Sequence, residues 1–106
     1  MARRSDSWRP ITAAELEQIV EDDLTECSPA ERTFFAAHRV PFYAVPIRRH
    51  GNLESALVVA HFGERVLYFE DIEKGFALST LDESGAIPKA DCSQFELRHV
   101  LNQLTQ

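Results

Sequence analysis

Six carboxylates crowd one short stretch of this chain: Glu15, Glu17, Glu21, Asp22, Asp23 and Glu26, with no Lys or Arg following them until Arg32. Carboxylates at this density can hold a cation, work as an acid–base pair, or create a field that draws in a basic partner. Calcium loops need oxygen ligands at fixed positions ending in a Glu, with a helix on each side. Neither this stretch nor the second acidic group, Glu70, Asp71, Glu73, Asp82 and Glu83, has that spacing. Like charges one helical turn apart, such as Glu17 with Glu21 and Asp22 with Glu26, each destabilise an isolated helix by about 0.2–0.5 kcal/mol. A solvated face that keeps a small protein dispersed would account for them. A docking surface for a basic partner would account for them too, and would also raise the association rate. The six acids are therefore the candidate partner-binding residues.

The remaining chemistry-bearing residues are scattered. His38, His50, His61 and His99 fall on a predicted helix end, a turn, a strand and the last helix, without the paired spacing of a zinc helix. Cys27 and Cys92 stand in no metal-ligand spacing, and reduced thiols are expected for both. No serine sits in a nucleophile elbow and no glycine loop cradles phosphate. No residue is singled out as catalytic or metal-ligating, and no cofactor is implied. Phe42, Tyr43, His61 and Tyr68 could line a pocket between sheet and helices, since ligand sites are mostly apolar with a few polar groups. Arg39, Arg48 and Arg49, flanked by His38 and His50, make the one basic segment, and these arginines are expected to pair with the acidic helix in the same molecule or in a dimer mate.

Regular elements must position these groups. Thr12 and Glu15 have capping-box spacing, Ile11 and Leu16 that of a hydrophobic staple, and Leu16, Ile19, Val20, Leu24 and Cys27 form one stripe, predicting a helix over 13–26. Ser28, Pro29 and Glu31 repeat the start signal, and Pro41 ends the second helix near His38. From Phe42 the period changes from 3.6 to 2. Strands are predicted over 42–49, 54–62, 65–70 and 75–80, with Pro46 marking an edge position or a bend and Gly63-Glu64 suiting a type II′ turn. Residues 81–89 read as polar turn chemistry. Asp91 and Gln94 then open a last helix carrying Leu97, Val100, Leu101 and Leu104 on one face. The order predicts an α+β domain: two N-terminal helices, a four-stranded antiparallel meander, and a C-terminal helix packed on one sheet face. Because 56–60 is apolar at every position, the second strand should be central, its outer face covered by helix, arm or partner.

The chain has 106 residues, 44% of them hydrophobic, and a net charge of −6. One domain over 10–106 with a flexible arm over 1–9 fits that size. The signs are segregated: residues 1–31 carry eight acids against three arginines, whereas 32–53 carry four arginines and no acid. A net acidic chain lacks the clustered basic face that nucleic-acid phosphates require. The longest apolar run is five residues, Ala56 to Ala60, too short to span a bilayer. The first residues lack the apolar segment of a secretory signal, so a cytoplasmic location is the expectation and membrane binding is not.

The stretch Tyr68, Phe69, Glu70, Asp71, Ile72, Glu73, Lys74, Gly75, Phe76, followed by Leu81, Asp82, Glu83, Ser84 and Gly85, resembles small acidic bacterial proteins of the mobile-gene-cassette and immunity types. The resemblance carries over no functional residue. It implies a bacterial, non-enzymatic, protein-binding role. The expected function is accordingly a non-catalytic interaction module, immunity-like or regulatory, whose acidic helix docks a basic partner. The alternatives are a small-molecule binder or minor enzyme using the aromatic pocket, and a homodimer joined through a sheet face or edge.

Overall fold

The computed structural model describes residues 11–71, 74–89 and 95–105. The predicted arm over 1–9, Cys92, and the opening residues Asp91 and Gln94 of the last helix lie outside the described residues. The elements are α1 (Ala13–Leu24), α2 (Pro29–His38), β1 (Arg39–Arg49), β2 (Asn52–Phe62), β3 (Arg65–Glu70), β4 (Gly75–Thr80) and α3 (Leu97–Leu104). The strands form one antiparallel sheet in the order β1-β2-β3-β4, so this is the α+β meander with two N-terminal helices and one C-terminal helix.

Local chemistry explains most boundaries. Thr12 Oγ1 accepts from the Glu15 amide at 3.1 Å while Glu15 Oε1 accepts from the Thr12 amide at 3.0 Å. Ser28 and Glu31 reproduce the same box for α2, with Pro29 in its first turn, where a missing amide costs nothing. Helix α1 stops two residues short of the predicted 26, because the amides of Thr25, Glu26 and Cys27 turn back to carbonyls only three residues earlier. Strand β1 begins at Arg39, three residues before the predicted 42, since the extended conformation that Pro41 imposes on Val40 already belongs to the sheet. The price is a bulge between Arg39 and Tyr43. Pro46 sits on the outer edge of β1: its carbonyl accepts from the Ile87 amide, so its missing amide faces away from β2. At the first hairpin, His50 (φ 50°) and Gly51 (φ 81°) are both left-handed, as a type I′ turn requires. At the second, Gly63 alone has positive φ (67°), in keeping with the II′ form.

The sheet buries both faces. On one, Val59, Ala60, Phe62, Leu67, Phe69 and Phe76 pack against Leu16, Val20, Cys27 and Phe35 of the N-terminal helices and Leu97, Val100 and Leu101 of α3. On the other, Val45, Ile47, Ala56, Val58, Val66, Tyr68 and Ala77 pack against Ile87. The five-residue apolar run of β2 serves both faces, and a bulge between Val58 and Ala60 resets its alternation so that consecutive Val59 and Ala60 both join the helix side.

The cover of the second face is neither helix nor arm among the described residues. Residues 81–89, which read as a polar turn, cross beneath the sheet as a strap from β4 to β1. There Arg48 donates its amide to the Ile87 carbonyl at 3.0 Å, and Ile87 donates to the Pro46 carbonyl at 2.8 Å. The last helix starts later than Gln94. Phe95 is extended, its carbonyl accepting from the Phe76 amide at 2.8 Å, and Glu96 is the N-cap.

Candidate functional site

Helical geometry divides the six acids of the first segment between different surroundings. Glu17 and Glu21, one turn apart, face the start of β1, where the Arg39 guanidinium bonds Glu17 at 3.0 Å and stands 3.6 Å from Glu21. The same guanidinium lies over the rings of Phe35 and Phe42, 5.2 and 5.8 Å from their centroids. The like-charge repulsion read from the sequence is thus answered inside the chain for this pair. Glu15 is engaged by the Thr12 cap.

Asp23 points inward. Its Oδ2 accepts from the Leu97 amide at 3.1 Å and so caps α3 from a distance of 74 residues in sequence. Burial raises its pKa, with the Leu97 amide pulling the other way and Glu96 and Asp22 adding to the rise. Glu31 makes the parallel tie from α2: besides capping Ser28 it accepts from Asn102 Nδ2 at 3.2 Å, and these hydrogen bonds, the Ser28 amide first, lower its pKa. The N-terminal helices therefore hold α3 through two carboxylates.

What remains exposed is the opposite flank of α1. Asp22 is bonded by the Gln18 amide at 2.9 Å, and no ion pair reaches it among the described residues. Glu26, just past the helix end, has no side-chain partner among the described residues. This flank runs into a groove of about 500 Å³ lined by Glu26, Glu31, Phe95, Arg98, His99, Asn102 and Gln103. Phe95 is 47% exposed at its wall, held there by its backbone bridge to β4. The Glu96 amide donates to His99 Nδ1 at 3.2 Å, which leaves Nε2 of the neutral ring as a donor. Arg98 is turned to Glu96, 2.9 Å away. Sequence reading found Glu26 but not the groove. Phe95, an aromatic residue outside the apolar stripe of α3, was the signal that could have found it.

The aromatic pocket residues are divided by the sheet. Phe42 packs with the helix-side core, whereas Tyr43, opposite Val58, His61, opposite Val66, and Tyr68 share the strap side. Tyr68 is fully buried there, and the Tyr43 hydroxyl and His61 Nε2 share a hydrogen bond of 2.7 Å with their rings edge to face.

Of the arginines expected to pair with the acidic helix, only Arg39 does. Arg48 meets Asp82 of the strap at 3.4 Å, and Arg49 meets Glu54 and Glu70, each at 2.7 Å. For Arg49 the reason is alternation: residue 49 points to the strap side with Glu70, away from the helices. Burial alone would lower the Arg49 pKa, but the carboxylates of Glu70 and Glu54 more than offset it and raise it. Cys27 is buried, and that burial, with the charges of Glu31 and Asp23, raises its thiol pKa, the opposite of what a nucleophile needs. Among the described residues, no group of three or more His, Cys, Asp or Glu is placed to hold a metal, and no helix is long and apolar enough to cross a membrane. No protein-family model, curated protein or solved structure matches this chain.

Proposed function

We propose that this protein is a non-catalytic interaction module that docks a basic partner protein on the exposed flank of α1, around Asp22 and Glu26. The observation that supports the reading is the unequal use of the acids. Arg39 holds Glu17 and Glu21, the caps hold Glu15 and Asp23, and yet Asp22 and Glu26 face solvent without an ion pair among the described residues. In a chain of net charge −6, such a flank speeds encounter with a cationic surface and repels acidic competitors. The small acidic immunity-type proteins that the sequence resembles point to the same class of role and to a bacterial source.

The test is retention of basic proteins from a bacterial lysate on the immobilised chain at low and high salt, followed by calorimetry with the purified partner. Binding should weaken steeply with salt, and Asp22→Lys should weaken it by about tenfold, the size expected when a favourable charge contact is reversed. Glu17→Gln and Glu21→Gln should have a smaller effect, because Arg39 already occupies those side chains. Salt-independent binding, or indifference to Asp22→Lys, would remove the proposal.

A further inference from the structure

We infer that the groove between the α1–α2 turn and α3 seats an arginine side chain from an extended segment of the basic partner, an inference that rests on the docking reading above. Four groups of the groove fit that occupant: Glu26 and Gln103 make no side-chain bond among the described residues, while Phe95 is set by its bridge to β4 and stands edge to face with His99, their ring centroids 6.1 Å apart. Glu26 offers a carboxylate with no partner among the described residues. Phe95 offers a ring that is 47% exposed, and a planar guanidinium stacks on aromatic faces of this kind. His99 presents Nε2 as a donor because Nδ1 is committed to the Glu96 amide, and Gln103 adds an exposed amide. A carboxylate beside an aromatic face recognises a cation, and flanking donors recognise the carbonyls of the backbone that carries it.

The charges already at the groove do not satisfy it. Arg98 is drawn to Glu96, and Glu31 is spent on Ser28 and Asn102. An arginine suits the site better than a lysine, whose compact ammonium cannot both lie flat on Phe95 and donate in the plane to Glu26.

The experiment is a titration of the isotope-labelled full chain, followed by amide chemical shifts, with a capped Gly-Arg-Gly peptide and its lysine and citrulline counterparts. Shifts should gather at Phe95, His99 and Gln103. Citrulline should bind about fivefold more weakly than arginine, and Glu26→Gln and Phe95→Ala should each weaken the arginine peptide by about threefold, as exposed ion-pair and cation–π contacts predict. Glu26→Gln is a surface change that leaves the core intact, so it reports on the groove even if Phe95→Ala loosens the bridge to β4. Equal binding of citrulline overturns the inference, as does lysine binding as tightly as arginine. Shifts confined to the α1 flank around Asp22 overturn it too, but leave the docking reading standing. Loss of salt-sensitive partner binding altogether would instead remove the docking reading.

Discussion

On the helix side of the sheet, Leu16, Val20, Phe35, Leu97 and Leu101 come from three amphipathic helices and meet Phe62, Leu67, Phe69 and Phe76 over a broad apolar contact. On the strap side, Val45, Ile47, Val58 and Tyr68 are equally well buried, but their cover is a non-periodic segment with Ile87 as its main apolar anchor and polar groups as its pins. Asp82 is one such pin: its carboxylate accepts from the amides of Ser84 and Ala86 at 2.9 and 3.1 Å and from the Ser84 hydroxyl, and it faces Arg48. On the same face the buried Arg49–Glu70 pair ties β1 to β3, and Glu70 has no exposed surface. One face is closed by area, the other by a few directed bonds over a small core. The strap side should therefore be the more sensitive to pH and to single polar changes, and the helix side to lost volume.

The largest effects should come from breaking each face by its own means. Phe35→Ala should cost about 3–5 kcal/mol in urea unfolding, the usual toll of emptying a buried aromatic site. Arg49→Ala should cost a comparable amount, about 3–5 kcal/mol, by leaving Glu70 buried without its guanidinium. Replacing both partners, as Arg49→Met with Glu70→Leu, should recover most of that loss, because an apolar pair escapes the desolvation penalty. Failure to recover would mean that Glu70 has a further structural duty.

Ile87→Ala comes next, at about 2–4 kcal/mol. Its distinguishing sign is local: amide exchange should quicken at Arg48 and Ile87, whose bonds tie the strap to β1, before it quickens at Phe35 or Leu101. Uniform acceleration would mean that the strap and the helix-side core open as one unit.

A smaller effect separates charge from capping at Asp23. Asp23→Ala should cost about 1 kcal/mol through the lost cap on α3. Asp23→Asn keeps an acceptor for the Leu97 amide and sheds a carboxylate that burial disfavours, so it should be neutral or slightly stabilising at pH 7. The wild-type residue has a raised pKa, so its ionisation subtracts stability as pH rises from about 3.8 through the folded value, and the Asn variant should lack that slope.

The smallest effect is the pH dependence at Asp82. Its hydrogen bonds, the Ser84 hydroxyl and Ala86 amide foremost, lower its pKa from 3.8 to about 2. For a depressed carboxylate the contribution is complete above 3.8 and is lost as pH falls toward about 2. Wild type should therefore lose stability relative to Asp82→Ala across that window, and amide exchange in the strap should show the loss first.

The helix-side face was readable because its signals are local. Two capping boxes, a proline in the first turn of α2, and apolar stripes at helical spacing predict α1 and α2 within two residues of their observed ends, and alternation with turn residues places β3 and β4 at their observed bounds. The strap was read as a turn because nothing periodic marks residues 81–89; its role depends on Ile87 meeting Ile47, forty residues away in sequence. The candidate site divides the same way. The acids of α1 are visible as a run of charge, and Glu26 among them belongs to the groove. That Arg39 would take Glu17 and Glu21, and that Phe95 would be held at the groove wall by β4, could not be read from any local pattern.

Sequence alone therefore determined the element types, their order, the antiparallel meander and the acidity of the first helix, because capping, periodicity and turn chemistry act over a few neighbouring residues. The chain's folding in space settled which acids are spent on Arg39 and α3 and which face outward, how the second sheet face is closed, and that Phe95 and Glu26 line one groove. Those outcomes depend on contacts between residues 18 to 74 positions apart, and no short window of the sequence contains both partners.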